Sequence, residues 1–388
     1  MTAIFFPKII ARAGLLAGLA IVAFGSAKTL HAQVDTPARH AVMIDMSTDT
    51  IVLEKDADVP MPPASMSKLM TIYMVFDRLK SGRLSLEDKF LVSRKAWRKG
   101  GSKMFVMVNT RVSVKDLLRG IIVQSGNDAC IVIAEGIAGS EDAFAELMTK
   151  KAREIGLTNS SFKNATGWPA EGHVMSARDI ATLSMKLIRD FPEYYPIFAE
   201  TSFTFSGIKQ GNRNPLLYKD FGADGLKTGH TEDSGYGLAS SAERNGRRLV
   251  LVVNGLPSMR ARSSESARLL EWGFRETATY SLFKKGEPVE TAAVWLGDQP
   301  TVKMLTGSDV ALTLPKAARR DMTVKIFYQT PVPAPIVAGA PLGRIEIAAP
   351  GKEKITVPLL AANDVGGLGT WGRVNAAAQY LLWGKSAK

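Results

Sequence analysis

The chain of 388 residues has a single cysteine, Cys130, and only four histidines. One cysteine excludes an internal disulfide framework and a cysteine-cluster metal site. The histidines are scattered and never take the spacing of a helical metal motif such as His-Glu-x-x-His, so a metal site is not predicted. Cys130 is expected to be a buried thiol that packs as a small apolar side chain.

Acidic residues are the scarcer charged class: 37 Asp and Glu stand against 49 Lys and Arg, a formal net charge of +12. Two basic residues and no acid precede an apolar run from Ala13 to Phe24. That run is short for a stable membrane anchor and typical of a secretory signal peptide. Cleavage after Ala32 gives a signal peptide of residues 1–32; cleavage after Ala27 and an uncleaved anchor are the alternatives.

Export limits the anionic partners that the positively charged protein can bind. An exported protein does not meet nucleic acid, so no nucleic-acid partner is predicted. The anionic partners that remain are lipid headgroups and the carboxylate-bearing peptides of the cell wall.

Residues 33–280 alternate between helical and strand patterns. Helices are predicted over 66–79, 114–123, 129–138, 140–155 and 176–189, and strands over 41–46, 50–54, 226–231, 237–242 and 248–254. Asn245-Gly246, between the last two strands, is a strong hairpin turn. Because the helices lie between two groups of strands, the pattern favours an α/β domain with a largely antiparallel sheet.

Residues 285–362 have a different pattern, that of a small all-β domain. Short strands are predicted over 289–296, 302–305, 310–314, 322–328, 343–347 and 355–359. Prolines exclude helix from much of this region: Pro331, Pro333, Pro335, Pro341 and Pro350. The strands and turns predict a β-sandwich as a second domain.

Residues 365–388 contain no acid and end the chain with a helical pattern. One helical face carries Trp371, Val374, Ala378, Leu381 and Leu382. This fits an amphipathic helix that lies in a membrane interface and anchors the protein to it. A helix docked on the protein's own surface and a frayed terminus are the alternatives.

A candidate catalytic pair opens the first long helix. The i, i+3 spacing of Ser65 and Lys68 puts a hydroxyl and an amine on one helical face. Serine needs a base, and lysine can be that base only when it is neutral, which burial favours. Three further Ser-x-x-Lys tetrads begin at Ser160, Ser206 and Ser281, but only Ser65 precedes an uninterrupted apolar helix.

Two further elements raise the specificity of this pair. The tripeptide Ser125–Asn127 lies between two apolar helices, where it offers a hydroxyl for proton transfer and an amide for a carbonyl; an ordinary interhelical turn is the alternative. The tripeptide Lys227–Gly229 lies on a predicted strand. Its cation and hydroxyl can hold a carboxylate, and its glycine lets a substrate backbone approach the sheet edge.

These three elements, in this order, resemble the motifs of serine D-alanyl-D-alanine carboxypeptidases of the penicillin-binding protein 5 type, peptidase family S11. The matching segments are 63–68, 125–130 and 227–231, and the resemblance covers nearly the whole chain. It implies a penicillin-recognising serine transpeptidase and β-lactamase-like domain, an antiparallel sheet with helices, followed by the β-sandwich. It also implies removal of the terminal D-alanine from peptidoglycan stem pentapeptides, acylation by β-lactams, no cofactor, and a peripheral location on the periplasmic face of the inner membrane.

The resemblance also implies roles for individual residues. It makes Ser65 the acylated nucleophile, Lys68 its general base and Ser125 the proton relay, with Asn127 on the acyl-side amide, Lys227 and Thr228 on the substrate carboxylate, and the backbone N–H groups of Ser65 and His230 as the oxyanion hole. The family uses a further arginine, for which Arg260 and Arg262 are the candidates and Arg262 is preferred. The side chain of His230 is expected only to line the site beside Gly229.

Three other functions share parts of this pattern. A class A β-lactamase needs a Glu-x-x-Leu-Asn element, and none occurs between Asn127 and Lys227. A D,D-endopeptidase shares the motifs, but the β-domain and the tail favour the carboxypeptidase. A non-catalytic wall-binding scaffold is disfavoured by the intact Ser65, Lys68 and Lys227.

Overall fold

The structure, a computed structural model, describes residues 34–383. The predicted signal peptide therefore lies outside the described residues. The helices are α1 (Lys68–Lys80), α2 (Arg94–Arg98), α3 (Val114–Ile122), α4 (Asn127–Ala138), α5 (Glu141–Glu154), α6 (Ala177–Asp190), α7 (Met259–Glu276) and α8 (Thr370–Trp383). Short 3-10 helices occupy Ala64–Ser67, Tyr195–Ala199, Pro215–Tyr218 and Lys316–Asp321.

The strands are more numerous than the sequence pattern predicts. In the N-terminal region they are β1 (His40–Asp45), β2 (Thr50–Lys55), β3 (Lys89–Leu91), β4 (Arg111–Ser113), β5 (Ser202–Phe205), β6 (Ile208–Gly211), β7 (Ala223–Thr231), β8 (Gly235–Arg244) and β9 (Arg247–Leu256). In the C-terminal region they are β10 (Thr277–Phe283), β11 (Pro288–Trp295), β12 (Thr301–Thr306), β13 (Val310–Pro315), β14 (Thr323–Tyr328), β15 (Val332–Pro333), β16 (Pro341–Ala348) and β17 (Ile355–Ala361).

A five-stranded antiparallel sheet, in the order β2-β1-β9-β8-β7, divides the first domain into two layers. Alternate residues of β1 and β9 enter two different cores: Val42 and Val252 join the core shared with α1 and α3–α6, whereas Met43 and Leu251 join the core shared with α7. The α/β prediction with an antiparallel sheet is confirmed. Strand β7 forms one edge of this sheet.

Serine side chains fix the beginnings of several helices. Ser113, Ser140, Ser176 and Ser258 each accept a hydrogen bond from a backbone N–H of the first turn, at the starts of α3, α5, α6 and α7. The predicted hairpin turn is also present, since Asn245 and Gly246 both have positive φ angles, 51° and 74°. These local signals explain why the helix and strand predictions in this domain agree with the structure to within a few residues.

The C-terminal β-domain has its own core. Its six-stranded sheet has the order β14-β16-β17-β12-β11-β15, and β10 pairs with β13 as a second, two-stranded sheet. Strand β10 was not predicted from the sequence, because Thr277–Phe283 follows α7 without a turn signal. The division at residues 280–285 stays a prediction, although β10 pairs with the β-domain from Thr277 onward.

A buried carboxylate joins the two domains. Asp45, at the end of β1, accepts hydrogen bonds from Arg247 Nε at 2.7 Å, Thr279 Oγ1 at 2.8 Å and Thr313 Oγ1 at 3.0 Å. Burial by itself would raise the pKa of Asp45, but the hydrogen bonds from Arg247, the Ser47 backbone N–H and Thr279, together with the Arg247 charge, hold it below its ordinary value. Thr279 and Thr313 belong to β10 and β13, so the charge of Asp45 is bound from both domains.

Helix α8 ends the described chain and exposes apolar residues. Trp371 and Leu381 are 87% and 84% exposed, and Val374 is also exposed. These side chains are therefore not docked on the protein's own surface, which was one of the two alternatives. Across residues 34–383, no helix has the length and hydrophobicity needed to span a membrane.

Candidate active site

Ser65 lies on the 3-10 turn Ala64–Ser67, directly before α1 rather than inside it. Ala64 has a φ of 48°, a left-handed conformation that is unusual for a residue with a side chain and typical of functional sites. Lys68 Nζ lies 2.8 Å from Ser65 Oγ. The i, i+3 spacing therefore brings the predicted nucleophile and base into contact.

The Lys68 amine is completely buried, and its second neighbour is the carbonyl oxygen of Thr166 at 2.5 Å. Burial lowers the pKa of Lys68 to about 8, and the charges of Arg213 and Lys99 act in the same direction. Burial also raises the pKa of the nearby Cys130 thiol to about 12, so this thiol is neutral and supplies no counter-charge. A neutral amine can donate to Thr166 and still accept the Ser65 proton.

The turn that carries Ser65 is held from two sides by glycines. A Cβ at Gly167, whose φ is 75°, would lie only 1.9 Å from the carbonyl oxygen of Ala64. A Cβ at Gly229 on β7 would lie 2.9 Å from the carbonyl oxygen of Pro63. Gly229 therefore allows the sheet edge to approach the Ser65 turn, and its predicted role toward a substrate backbone stays a prediction.

Ser125 lies in the loop between α3 and α4 with a φ of 60°. Its hydroxyl is buried and has no hydrogen-bond partner among residues 34–383. An unpartnered buried hydroxyl is costly, and it is found where a ligand or a reacting group completes its bonding. Asn127 donates through Nδ2 to the carbonyl oxygen of Gly100 at 2.9 Å, which leaves its Oδ1 available.

Asp128, the residue after this tripeptide, holds the loop before β4 in place. Its carboxylate is buried and accepts hydrogen bonds from the backbone N–H groups of Met104, Phe105 and Val106 at 2.9–3.3 Å. The loop before β4 is thereby fastened to the start of α4. The sequence analysis did not single out Asp128, and its position directly after Asn127 was the signal available.

The tripeptide Lys227–Gly229 lies on β7, at the edge of the sheet, as predicted. Lys227 is buried, and its Nζ donates to the carbonyl oxygen of Thr228 at 3.1 Å. Burial, together with the charge of Lys68, holds the pKa of Lys227 well below its ordinary value. His230 is exposed, and its ring stacks on Tyr236 with centroids 3.8 Å apart.

Two arginines stand near these lysines. Arg262, in the first turns of α7, is buried, and its Nε has no partner in the described part of the chain, whereas Arg260 is exposed. Arg213 was not singled out from the sequence; it donates to Ser102 Oγ, and its charge lowers the pKa of both Lys68 and Lys227. Arg213 lies between two short structural elements and belongs to no motif, so no sequence pattern indicates it.

The third unpredicted residue is His173, which binds the Ser65 turn from behind. Its Nδ1 accepts the backbone N–H of Lys163 at 3.1 Å, so its proton is on Nε2, which donates to Ser67 Oγ at 2.8 Å. Burial lowers the pKa of His173 to about 4, and the charge of Lys68 adds to this. His173 is therefore neutral at pH 7 and fixes Ser67, two residues from Ser65.

Comparison with known proteins places this geometry in a family. Residues 26–258 match the D-alanyl-D-alanine carboxypeptidase family, peptidase S11, and residues 278–366 match the C-terminal domain of penicillin-binding protein 5. The chain belongs to the D-alanyl-D-alanine carboxypeptidase family. It is a hydrolase with the function of a D,D-carboxypeptidase and penicillin-binding protein, and the penicillin-binding protein fold with a second β-domain is confirmed.

Three relatives illustrate the match. The chain is 37% identical to D-alanyl-D-alanine carboxypeptidase DacC of Escherichia coli, over 93% of this chain and 94% of that protein. It resembles the crystal structure of penicillin-binding protein 5 from Haemophilus influenzae with a TM-score of 0.75 and 37% identity, over 86% of this chain and 98% of that one. Penicillin-binding protein D2 from Listeria monocytogenes in its ampicillin-bound form matches 62% of this carboxypeptidase and 99% of its own chain, with a TM-score of 0.57 and 29% identity.

Proposed function

We propose that this carboxypeptidase removes the terminal D-alanine of peptidoglycan stem pentapeptides through an acyl-enzyme on Ser65. The observation that carries the proposal is the 2.8 Å contact between Ser65 Oγ and the buried Lys68 amine, whose pKa is lowered to about 8. A buried neutral amine beside a hydroxyl is the arrangement that makes serine nucleophilic without a histidine.

Acylation follows from this pair. Neutral Lys68 takes the Ser65 proton while Ser65 Oγ attacks the carbonyl carbon of the scissile D-Ala-D-Ala bond. The backbone N–H groups of Ser65 and His230 stabilise the oxyanion that forms. The tetrahedral intermediate collapses, the C–N bond breaks, and the unpartnered Ser125 hydroxyl passes the proton from Lys68 to the leaving amine. D-Alanine departs, and the acyl group stays on Ser65 as an ester.

Substrate binding uses the remaining residues. Asn127 holds the amide on the acyl side, with its Oδ1 free to accept that N–H. Lys227, Thr228 and the guanidinium of Arg262, whose Nε has no partner among the described residues, hold the terminal carboxylate. This carboxylate replaces the hydration that burial has removed from these groups. Water then attacks the ester, with Lys68 again as the base, and releases the shortened peptide.

The experiment uses labelled penicillin and a D-Ala-D-Ala pentapeptide, with Ser65→Ala as the matched variant. Wild type should form a long-lived covalent adduct with penicillin and release free D-alanine from the pentapeptide, and the variant should do neither. Rapid turnover of the drug would instead indicate a β-lactamase. Products from crosslinked muropeptides but not from pentapeptide would indicate an endopeptidase, and no reaction with either would indicate a scaffold.

We further propose that the protein is exported, with residues 1–32 as its signal peptide, and that α8 attaches it peripherally to the periplasmic face of the inner membrane. The exposed Trp371, Val374 and Leu381 support this, because an amphipathic helix buries such residues at an anionic lipid interface. A chain that ends at Gly369, directly before α8, should leave the membrane fraction and keep its pentapeptide activity. Unchanged membrane recovery of that chain would refute the anchor.

A further inference from the structure

The segment from residue 89 to residue 115 has eight Lys or Arg residues and no Asp or Glu, in a chain that has 49 bases and 37 acids overall. The segment comprises β3, α2, the loop that follows it, β4 and the first turn of α3. Six of its cations are called the basic collar here: Lys89, Arg94, Arg98, Lys99, Lys103 and Arg111. Apart from the charge of Lys99, which lowers the pKa of Lys68, their function is not explained by the catalytic site.

The charges of the basic collar are not neutralised by the protein. Within residues 34–383 none of the six has a carboxylate within 4 Å, whereas Lys95 in the same segment pairs with Glu141 at 2.9 Å. Two of them bind backbone oxygens instead: Arg111 Nη2 donates to Lys89 at 3.1 Å, and Lys103 Nζ donates to Trp97 at 2.5 Å. The collar is thus a set of cations that form no ion pair with a carboxylate of the described residues.

The collar begins at the wall of the catalytic cleft. Its loop binds Asn127 through two backbone oxygens, that of Gly100 at 2.9 Å from Nδ2 and that of Ser102 at 2.7 Å from the backbone nitrogen. The Lys99 ammonium lies 4.3 Å from the ring centroid of Trp168. A polymer bound in the cleft can therefore contact the collar at this loop.

From the cleft the collar extends over α2 to the two-stranded sheet of β3 and β4. Arg94 and Arg98 are exposed one helical turn apart. Leu91 pairs with Arg111 across this sheet, and both are exposed with Lys89 on its outer face. Apolar side chains are interspersed among the cations: Leu91, Trp97, Phe105 and Met107 are between 37% and 55% exposed.

We propose that the basic collar binds the carboxylates of stem peptides that neighbour the one in the cleft, so that the polymeric cell wall is recruited by charge. The proposal rests on the proposed function, because the cations of the cleft itself already bind the carboxylate of the peptide being cleaved. Neighbouring stem peptides of the same polymer carry further carboxylates, and the exposed aromatic ring of Trp97 offers a stacking surface for the sugars between them.

An anionic membrane is the other surface that cations and exposed apolar residues can bind. The wall polymer is favoured because the collar loop is itself part of the cleft wall. A lipid surface on the collar would lie against the cleft entrance and obstruct the substrate, whereas a polymer that enters the cleft reaches the collar by continuity.

The test compares two variants of equal charge. Arg94→Gln/Arg98→Gln/Arg111→Gln removes three exposed collar cations, and Lys285→Gln/Arg320→Gln/Lys325→Gln removes three exposed cations from the β-domain. Release of D-alanine is measured from a soluble pentapeptide and from isolated wall sacculi rich in pentapeptide. At low salt the collar variant should lose about 5- to 10-fold in kcat/KM on sacculi and less than about twofold on pentapeptide, and the loss should vanish near 0.5 M salt.

Binding without chemistry separates this inference from the proposed function. Chains that carry Ser65→Ala and end at Gly369, directly before α8, are sedimented with sacculi and, separately, with phosphatidylglycerol vesicles. The collar substitutions should weaken binding to sacculi, and the β-domain substitutions should not. Equal effects of the two triple variants, or no effect of either, would overturn the collar. Loss of vesicle binding with unchanged sacculus binding would assign the collar to a membrane instead. An inactive wild type would refute the proposed function alone.

Discussion

The protonation of Lys68 gives the sharpest prediction. If neutral Lys68 is the base, the second-order rate of acylation by penicillin must follow the neutral fraction of this amine in the free enzyme. A lowering of its pKa from 10.5 to about 8 raises the neutral fraction at pH 7 from roughly 0.03% to about 9%, on the order of 300-fold. The rate should rise about 50-fold between pH 6 and pH 8 and level off above pH 9.

The assay is stopped-flow acylation by a fluorescent penicillin from pH 5.5 to 9.5, with folding checked at each pH by circular dichroism. Arg213→Gln removes a positive charge that lowers the pKa of Lys68, so its profile should move to higher pH. Lys150→Gln removes an exposed charge from α5 and should leave the midpoint in place. A rate that stays flat between pH 6 and pH 8, or equal shifts in the two variants, would refute a neutral lysine base.

Three further predictions concern groups that support the site. Gly167→Ala places a Cβ against the carbonyl oxygen of Ala64, so the rate of acylation should fall by about 100-fold or more. The control Gly139→Ala has a similar φ of 78° but open space around it, and should cost only about 1 kcal/mol of unfolding free energy. If the two variants lost equal amounts of acylation rate and of stability in urea, this reasoning would be contradicted. His173→Ala leaves the Ser67 hydroxyl without its donor and should slow acylation, and His173→Gln should restore much of the rate; equal rates for the two would exclude positioning by hydrogen bonding. Asp45→Asn should lower the unfolding free energy at pH 7 by about 3–5 kcal/mol, measured by urea unfolding. Because the pKa of Asp45 is lower in the folded than in the unfolded state, the stability advantage of the wild type should disappear as the pH falls through the folded pKa. An unchanged urea midpoint in the variant would be the contrary result.

Local signals account for what the sequence predicted correctly. The contact between Ser65 and Lys68 follows from helical spacing alone, and the placement of Lys227 on a strand follows from its apolar neighbours. The approach of Gly229 to the Ser65 turn was not predicted, because sequence cannot tell which part of the protein packs against a glycine, and its role toward a substrate backbone stays a prediction. Arg213 and His173 were missed because each reaches the cleft only through long-range packing: His173 contacts Ser67, which is 106 residues away along the chain.

The two buried lysines connect binding to chemistry on the proposed mechanism. Burial lowers the pKa of both Lys68 and Lys227, and the charge of Lys68 lowers that of Lys227 further, so a second proton in this pair is costly in the free enzyme. A substrate carboxylate between Thr228 and Lys227 makes the proton on Lys227 favourable, and the resulting ammonium then repels a proton from Lys68. The terminal carboxylate thereby helps to generate the neutral Lys68 base, which activates Ser65 for attack on the same peptide. A peptide without that carboxylate leaves Lys227 without its counter-charge, so the proton is not drawn to Lys227 and Lys68 is neutral less often. The position of one proton in the lysine pair therefore links the preference for a free C-terminus to the activation of Ser65.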